Sequence, residues 1–139
     1  MLPLRWARRW RFASATLLLL VLLAGVAPVV WLWPDRGGAI RWFANIDKWA
    51  HVLTFTFLAL WFCGQYTRGA YWRIAAGLLV YGVFIEFVQR QVGYRTADFD
   101  DVLANASGIG IGLVIGLLGA GGWSQSVERW IGGQHEHAD

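Results

Sequence analysis

The feature that most constrains this chain is a set of apolar segments, each about as long as a membrane-spanning helix. There are four of them, and they run from Phe12 to Trp33, from Trp49 to Tyr66, from Trp72 to Gly93 and from Val102 to Trp123. A bilayer core about 30 Å thick is crossed by about 20 apolar residues in a helix. Hydrophobic residues make up 57% of the chain and charged residues only 15%, which is not typical of a soluble globular protein. The sequence therefore predicts an all-α membrane bundle of four transmembrane helices.

The first apolar segment follows a run of arginines, as the apolar core of a secretory or twin-arginine signal peptide does. The arginines are Arg5, Arg8, Arg9 and Arg11. The segment is longer than the core of about 7 to 15 residues found in signal peptides. We therefore predict that it stays in the protein as a membrane anchor. Cys63 is the only cysteine, so the chain has no internal disulfide.

The distribution of Lys and Arg predicts which way the chain crosses the membrane. Seven of these residues fall on the side of the termini, namely Arg5, Arg8, Arg9, Arg11, Arg68, Arg73 and Arg129. Five fall on the other side, namely Arg36, Arg41, Lys48, Arg90 and Arg95. Because cytoplasmic segments are enriched in Lys and Arg, we expect both termini to be cytoplasmic. The net charge of +3 is then a topology signal and not a nucleic-acid-binding surface.

Ionisable residues are gathered at one edge of the predicted spans. Asp47 and His51 are spaced i and i+4, as are Asp101 and Asn105, which places each pair on one helix face. Antiparallel spans bring the start of the second, the end of the third and the start of the fourth to the same side. Charges at membrane depth cost roughly 2.5–3.5 kcal/mol and usually face the protein interior, so we predict one buried polar pocket open to the outside. Its expected residues are Asp47, Lys48, His51, Glu86, Gln89, Arg90, Arg95, Asp98, Asp101 and Asn105.

Local signals predict how the helices begin near this pocket and how they pack. Asn45 is suited to cap the second span, after a short segment along the outer interface. Asp98 as N-cap and Asp101 at N3, the third residue of the fourth span, would satisfy free backbone amides and the helix dipole there. Asn105 lies too deep to cap and suits an interhelical hydrogen bond. The fourth span also has two overlapping G-x-x-x-G patterns, formed by Gly108, Gly112 and Gly116. Such patterns let a neighbouring helix backbone approach closely.

The order and spacing of three polar motifs resemble those of the VanZ-like family of bacterial integral membrane proteins. The motifs are Asp47-Lys48-x-x-His51, Glu86-x-x-Gln89 and Arg95-x-x-Asp98-x-x-Asp101-x-x-x-Asn105-x-x-Gly108. The likeness covers about residues 43–118, and it implies a multi-pass protein of the bacterial cytoplasmic (inner) membrane. The family takes its name from a member linked to teicoplanin resistance. We expect residues 1–139 to form one domain, with a basic cytoplasmic tail at 1–11 and a polar tail at 124–139.

The chemistry of the predicted pocket has several interpretations. Glu86 and His51 either form a structural polar contact between spans or belong to a site that moves protons or holds a charged headgroup. A metal is a further alternative, since carboxylates with one His suit Mg²⁺ or Mn²⁺ better than Zn²⁺, but the prediction is that no metal and no cofactor is bound. Cys63 lies some three helical turns from His51, so we identify no nucleophile arrangement.

We consider three functions from different classes. The first is binding of a lipid-linked or peptidoglycan-related envelope ligand, with Lys48 and Arg95 facing anionic groups; the resemblance to the VanZ-like family adds an expected link to glycopeptide resistance. The second is an enzyme that acts on a lipid-phosphate or acyl substrate, with candidate catalytic residues His51, Glu86 and Asp101 and with His51 or Glu86 as general base. The third is a structural bundle within a larger membrane complex. No nucleic-acid partner is expected.

Overall fold

The described part of the chain is mostly helical and contains no strand. The computed structural model describes residues 1–26, 36–91 and 99–135, and it describes side chains at positions 1–26, 48–91 and 99–132. The helices are α1 (Ala7–Val26), α2 (Arg36–Gln65), α3 (Tyr71–Gln91), α4 (Phe99–Ile115) and α5 (Trp123–His135). A short 3-10 turn, Arg68–Ala70, precedes α3, and a π turn, Gly116–Ala120, extends α4. This confirms the all-α class.

Three helices in the described residues are long and apolar enough to cross a membrane. They span Ala7–Val26, Arg68–Gln91 and Phe99–Ala120. Their outward faces carry large apolar side chains, such as Phe12, Val80 and Leu118, whose exposed fractions are 76%, 71% and 82%. Contiguous exposed apolar surface of this kind is unusual in a soluble monomer and is suited to contact with acyl chains. The protein is therefore a helical membrane protein.

Helix α2 lies among the other helices and supplies much of the core. Phe55, Leu58, Ala59 and Cys63 are all at most 1% exposed, and α2 packs against α3, α4 and α5. It is not one of the three helices that qualify as spans by length and composition among the described residues.

The α2–α4 contact is a direct approach of two backbones. A Cβ atom on Gly108 would lie 2.3 Å from the carbonyl oxygen of Val52, and one on Gly112 would lie 2.6 Å from that of Thr56. The hydroxyl of Thr56 donates a hydrogen bond across the same contact to the carbonyl oxygen of Gly108, at 3.1 Å. The buried face of α4 includes Asp101 and Asn105 as well as these glycines. The G-x-x-x-G pattern therefore packs as the sequence predicts.

The start of α2 differs from the sequence prediction. The helix begins at Arg36, so Asn45 lies inside it and does not cap it, and Asp47 lies more than two turns from its beginning. The physical reason is that the residues before Asn45 are also compatible with a helix: Ala39, Ile40 and Phe43 repeat at helical spacing. The expected interfacial segment is thus part of α2. The end of the predicted first span, up to Trp33, lies outside the described residues.

The two chain ends pack together, which the prediction of two separate tails did not anticipate. Glu128 of α5 is 9% exposed. Its carboxylate accepts hydrogen bonds from the backbone amides of Arg5 and Trp6, at 2.8 and 2.9 Å, and from the indole of Trp10, at 2.8 Å. Burial raises the pKa of Glu128, but these three donors and the nearby Arg5 charge lower it by more, so the net pKa lies below its ordinary value.

An aromatic cluster sits beneath this contact. Trp10, Trp61 and Trp123 have ring centroids 5.4 to 5.7 Å apart, and each indole N–H has an acceptor. Trp61 donates to the hydroxyl of Ser14 at 2.9 Å, and Trp123 donates to the carbonyl oxygen of Leu60 at 3.0 Å. Indole N–H groups usually find a hydrogen-bond partner where water is excluded. The cluster therefore joins α1, α2 and α5 at the end of the bundle that contains the N-terminus.

Candidate functional site

Three helices bring His51, Glu86 and Asp101 together at the opposite end of the bundle. His51 comes from α2, Glu86 from the last two turns of α3 and Asp101 from the first turn of α4. Their exposed fractions are 8%, 5% and 6%. One donor atom from each side chain lies within 4.8 Å of the corresponding atoms of the other two. We call these three residues the His–Glu–Asp cluster.

The orientation of the His51 ring is set by Asn105. His51 Nδ1 lies 2.9 Å from Asn105 Oδ1, and because an amide oxygen only accepts, Nδ1 carries the proton. The other ring nitrogen, Nε2, lies 3.9 Å from Glu86 Oε1. The ring therefore directs one nitrogen towards α4 and the other towards the carboxylate of α3. This geometry suits a proton acceptor, a cation pair or a ligand to an ion.

A glycine on α3 makes room for Asn105. A Cβ atom on Gly82 would lie 2.9 Å from Asn105 Nδ2 and 3.1 Å from the ring of Phe55. Gly82 is four residues before Glu86 and so lies on the same helix face. Asn105 is 1% exposed, and its Nδ2 has no hydrogen-bond partner among the described residues. The small residue thus allows the amide that orients His51 to fit between α2 and α3.

A cleft of about 230 Å³ adjoins His51 and is bordered by α1, α2 and α3. Its apolar lining includes Val21, Phe55 and Ile85, and its polar lining includes His51 and Gln89. Gln89 is 3% exposed. Its Nε2 donates a hydrogen bond to the carbonyl oxygen of Gly25 at 2.8 Å, which ties α3 to the end of α1. Its Oε1 has no hydrogen-bond partner among the described residues.

An ion pair lies at the rim, on the solvent side of the cluster. Lys48 Nζ pairs with a carboxylate oxygen of Asp100, and both side chains are about half exposed. Arg90 is also exposed. Asp100 was not among the expected pocket residues, although its position next to Asp101 in the first turn of a helix could have drawn attention to it. Exposed pairs of this kind contribute little to stability, so the rim differs from the buried cluster.

Several residues of the predicted pocket are not described. The side chain of Asp47 lies outside the described residues, and so do Arg95 and Asp98 in their entirety. Helix α4 begins at Phe99, which makes Asp101 its third residue. Of the seven remaining predicted residues, His51, Glu86, Asp101 and Asn105 are in one group. Gln89 lines the cleft, Lys48 is at the rim, and Arg90 is exposed.

Sequence reasoning missed the residues that shape the cleft. Gly25 and Val21 of α1 have no polar or spaced signature that distinguishes them from other residues of an apolar span. Gly82 belongs to no G-x-x-x-G pattern with a neighbouring glycine at position 78 or 86. Thr54, three residues after His51 in α2, also lines the cleft. No sequence pattern indicated Val21, Gly25 or Gly82, because the role of each depends on how the helices pack.

Comparison with known proteins gives one match. No curated protein and no solved structure matches the chain. The sequence profile described as VanZ/LLP1 matches residues 1–119, a range that includes α1 to α4 and every residue of the His–Glu–Asp cluster. With most of its length matched, the chain belongs to the VanZ/LLP1 family.

Proposed function

We propose that this protein is a four-span protein of the bacterial cytoplasmic membrane that binds the headgroup of a lipid-linked envelope ligand. The fourth span in this proposal is α2, whose length and central position suit a crossing. Both termini are cytoplasmic, so the His–Glu–Asp cluster faces outwards. The distribution of positive residues supports this orientation, since the end with the chain termini includes Arg5, Arg68 and Arg129.

One observation carries the proposal: His51, a member of the buried cluster of ionisable residues, also lines a cleft with both an apolar and a polar lining. Val21, Phe55 and Ile85 provide a wall that suits an acyl or prenyl chain, whereas His51 and Gln89 provide polar contacts. Ionisable residues at membrane depth are expensive to insert and usually mark a binding or transport site. A ligand with a lipid tail and a polar headgroup matches both parts of this cleft.

Lipid copurification tests the proposal directly. The wild-type protein and the Glu86→Gln variant are extracted under identical mild conditions, and the lipids that remain bound are quantified by mass spectrometry. We expect a lipid-linked envelope precursor to be enriched in the wild type and depleted in Glu86→Gln. Asp100→Asn is the matched control, because Asp100 is an acid at the rim and its removal should leave the enrichment unchanged. Equal lipid profiles in all three proteins would contradict headgroup binding.

Topology and phenotype are tested in cells. Single cysteines at positions 35 and 93, in a Cys63→Ser background, should react with a membrane-impermeant reagent added from outside. The wild-type gene should also change glycopeptide susceptibility, and Glu86→Gln should not, provided that both proteins accumulate to the same level. Loss of expression in every cluster variant would instead support a purely structural bundle.

The orientation of His51 supports a second candidate, a membrane enzyme that acts on a lipid-phosphate or acyl substrate. With Nδ1 protonated and bound to Asn105 at 2.9 Å, the neutral ring has its basic electron pair on Nε2 and is a suitable general base. Glu86 is the alternative base. Turnover of envelope lipids by purified protein would distinguish an enzyme from a binding protein, and His51→Gln should abolish that turnover.

A further inference from the structure

We propose that His51, Glu86 and Asp101 bind a divalent cation of the Mn²⁺ or Mg²⁺ type, through His51 Nε2 and one carboxylate oxygen each from Glu86 and Asp101. This inference rests on the proposed function in one respect: it makes the cation the point at which the anionic part of a headgroup is held. Two buried carboxylates by themselves repel a phosphate, whereas the same carboxylates around a divalent cation attract it.

The separations within the cluster suit a bridging ion. His51 Nε2 and Glu86 Oε1 are 3.9 Å apart, which is longer than the roughly 2.7–3.2 Å of a direct hydrogen bond. An ion with ligand distances of about 2.0–2.2 Å holds neighbouring ligands roughly 3 Å apart. Small rotations of the Glu86 and Asp101 side chains would bring the three donor atoms, now within 4.8 Å of one another, to such distances.

The hydrogen bond between His51 and Asn105 is of the kind that metal-binding histidines make with their second ring nitrogen. Metal-ligating histidines nearly always donate their second ring N–H to an oxygen acceptor, which fixes the tautomer and turns the other nitrogen towards the ion. Here Nδ1 is bound to Asn105 Oδ1 at 2.9 Å, and Nε2 is the nitrogen nearest Glu86. Asn105 is 1% exposed, so its acceptor is held in place by packing.

His51 is the cluster residue that lines the cleft, and in this proposal the remaining coordination positions of the ion would be filled from that side. A hard cation such as Mg²⁺ or Mn²⁺ binds about six oxygen-rich ligands and usually keeps several waters. Gln89 Oε1 lies in the same cleft lining as His51, is buried, and has no hydrogen-bond partner among the described residues. A water on the ion, or a hydroxyl of a headgroup that displaces it, would donate to this oxygen. Three side-chain donors fill only half of about six positions, so the proposed ion would also hold exchangeable ligands.

The donor set also indicates the class of ion. One imidazole nitrogen and two carboxylate oxygens form a mainly oxygen site, which suits Mn²⁺ or Mg²⁺. Protein zinc sites usually gather more His or Cys ligands than one. Cys63, the only thiol, is on α2 twelve residues from His51 and is part of the apolar core, so it does not contribute. Mn²⁺ is therefore a suitable probe because it is paramagnetic.

The experiment is Mn²⁺ binding to the purified full-length protein, followed by electron paramagnetic resonance. We expect one tightly bound Mn²⁺ per chain and a spin-echo modulation from an imidazole nitrogen. Asp101→Asn and Glu86→Gln should each weaken binding by at least about tenfold, and His51→Gln should remove the nitrogen modulation. The matched control is Asp100→Asn, which removes a neighbouring rim acid and should change the affinity by less than about twofold.

Two results would overturn the assignment. One is the absence of nitrogen modulation from bound Mn²⁺ in the wild-type protein, a measurement that depends on no variant. The other is an equal loss of affinity in Asp100→Asn and Asp101→Asn, which would indicate surface attraction only. Lipid enrichment measured in the same preparations keeps this question separate from the proposed function. Enrichment without bound Mn²⁺ would contradict the metal site alone, and bound Mn²⁺ without enrichment would contradict headgroup binding alone.

Discussion

Gly108 of α4 contacts Val52 of α2 so closely that a Cβ atom on the glycine would lie 2.3 Å from the valine carbonyl oxygen. Since that oxygen belongs to the backbone, it cannot move aside as a side chain can. We expect Gly108→Ala to destabilise the protein by about 1–3 kcal/mol, the usual effect of overpacking. The measurement is thermal unfolding in detergent, followed by tryptophan fluorescence.

Gly110 provides the control for this prediction. It lies in the same helix, but a Cβ atom there has no neighbour within 4 Å. Gly110→Ala should therefore leave stability unchanged or raise it by about 0.5–1 kcal/mol, since alanine favours helix more than glycine does. If Gly108→Ala proved as stable as Gly110→Ala, the close α2–α4 contact would be wrong.

Replacement of Asn105 tests the hydrogen bond that orients His51. Asn105→Ala leaves a buried imidazole N–H without its acceptor at 2.9 Å, and an unsatisfied buried donor costs about 1–3 kcal/mol. Thermal unfolding should show that loss. The control is Ser107→Ala, two residues away and exposed, which should change stability by less than about 0.5 kcal/mol. Similar effects of the two substitutions would contradict a special role for Asn105.

Ser14 connects α1 to the aromatic cluster. Its hydroxyl donates to Gln65 Oε1 at 3.2 Å and accepts from the Trp61 indole at 2.9 Å. Ser14→Ala removes both contacts from a site that is 7% exposed, and we expect a loss of about 1–3 kcal/mol with a change in tryptophan emission. Thr16→Ala, at an exposed position of the same helix, is the control and should leave both readouts as they are in the wild type.

The contact between Glu128 and the N-terminus should depend on pH. Because the folded-state pKa of Glu128 is lowered from 4.5, its ionisation stabilises the docked N-terminus fully above about pH 4.5. That contribution is lost as the pH falls through the lower folded-state pKa. Trypsin cleavage after Arg5, Arg8 or Arg9 would report undocking at neutral pH. Glu128→Gln loses one hydrogen bond to the carboxylate, worth about 1.5 kcal/mol. Trypsin should therefore cleave the N-terminal segment of this variant roughly tenfold faster than that of the wild type.

The acid range needs a different readout, since trypsin is inactive there. The emission of Trp10, whose indole donates to Glu128, should shift as the pH falls below about 4.5. The shift should be absent in Glu128→Gln. Asp100→Asn at the other end of the bundle should behave like the wild type in both experiments. A pH-dependent shift that persists in Glu128→Gln would assign it to another group.

The main features of the fold were predictable from local patterns. Four apolar segments and the glycine spacing of the fourth indicated a helical membrane bundle with a close helix contact at Gly108 and Gly112. The start of α2 was not predictable in the same way, because Asn45 is a good capping residue and the residues before it are also helix-compatible. The docking of α5 was missed because it depends on Glu128 meeting amides more than a hundred positions earlier in the chain.

The cluster was predictable because ionisable residues at membrane depth nearly always face the protein interior or a water-filled cavity and not the lipid. Helix direction alone brought His51, Glu86 and Asp101 to one end. The sequence did not indicate which of two adjacent acids would be buried. Asp100 pairs with Lys48 at the rim, whereas Asp101 faces the interior. One residue of helix rotation, about 100°, separates these two outcomes, and the packing of α4 on α2 decides which acid is buried.

The contact between Glu128 and Trp6 joins residues that are 122 positions apart, and this bears on the order of events during synthesis. While the ribosome is still making α4, the amides of Arg5 and Trp6 have no carboxylate to bind, however long α1 has already been in the bilayer. Docking of the amino terminus is therefore a late, post-insertion step. A nascent chain that stops before α5 therefore lacks α5, and the backbone amides of Arg5 and Trp6 also lack their carboxylate acceptor.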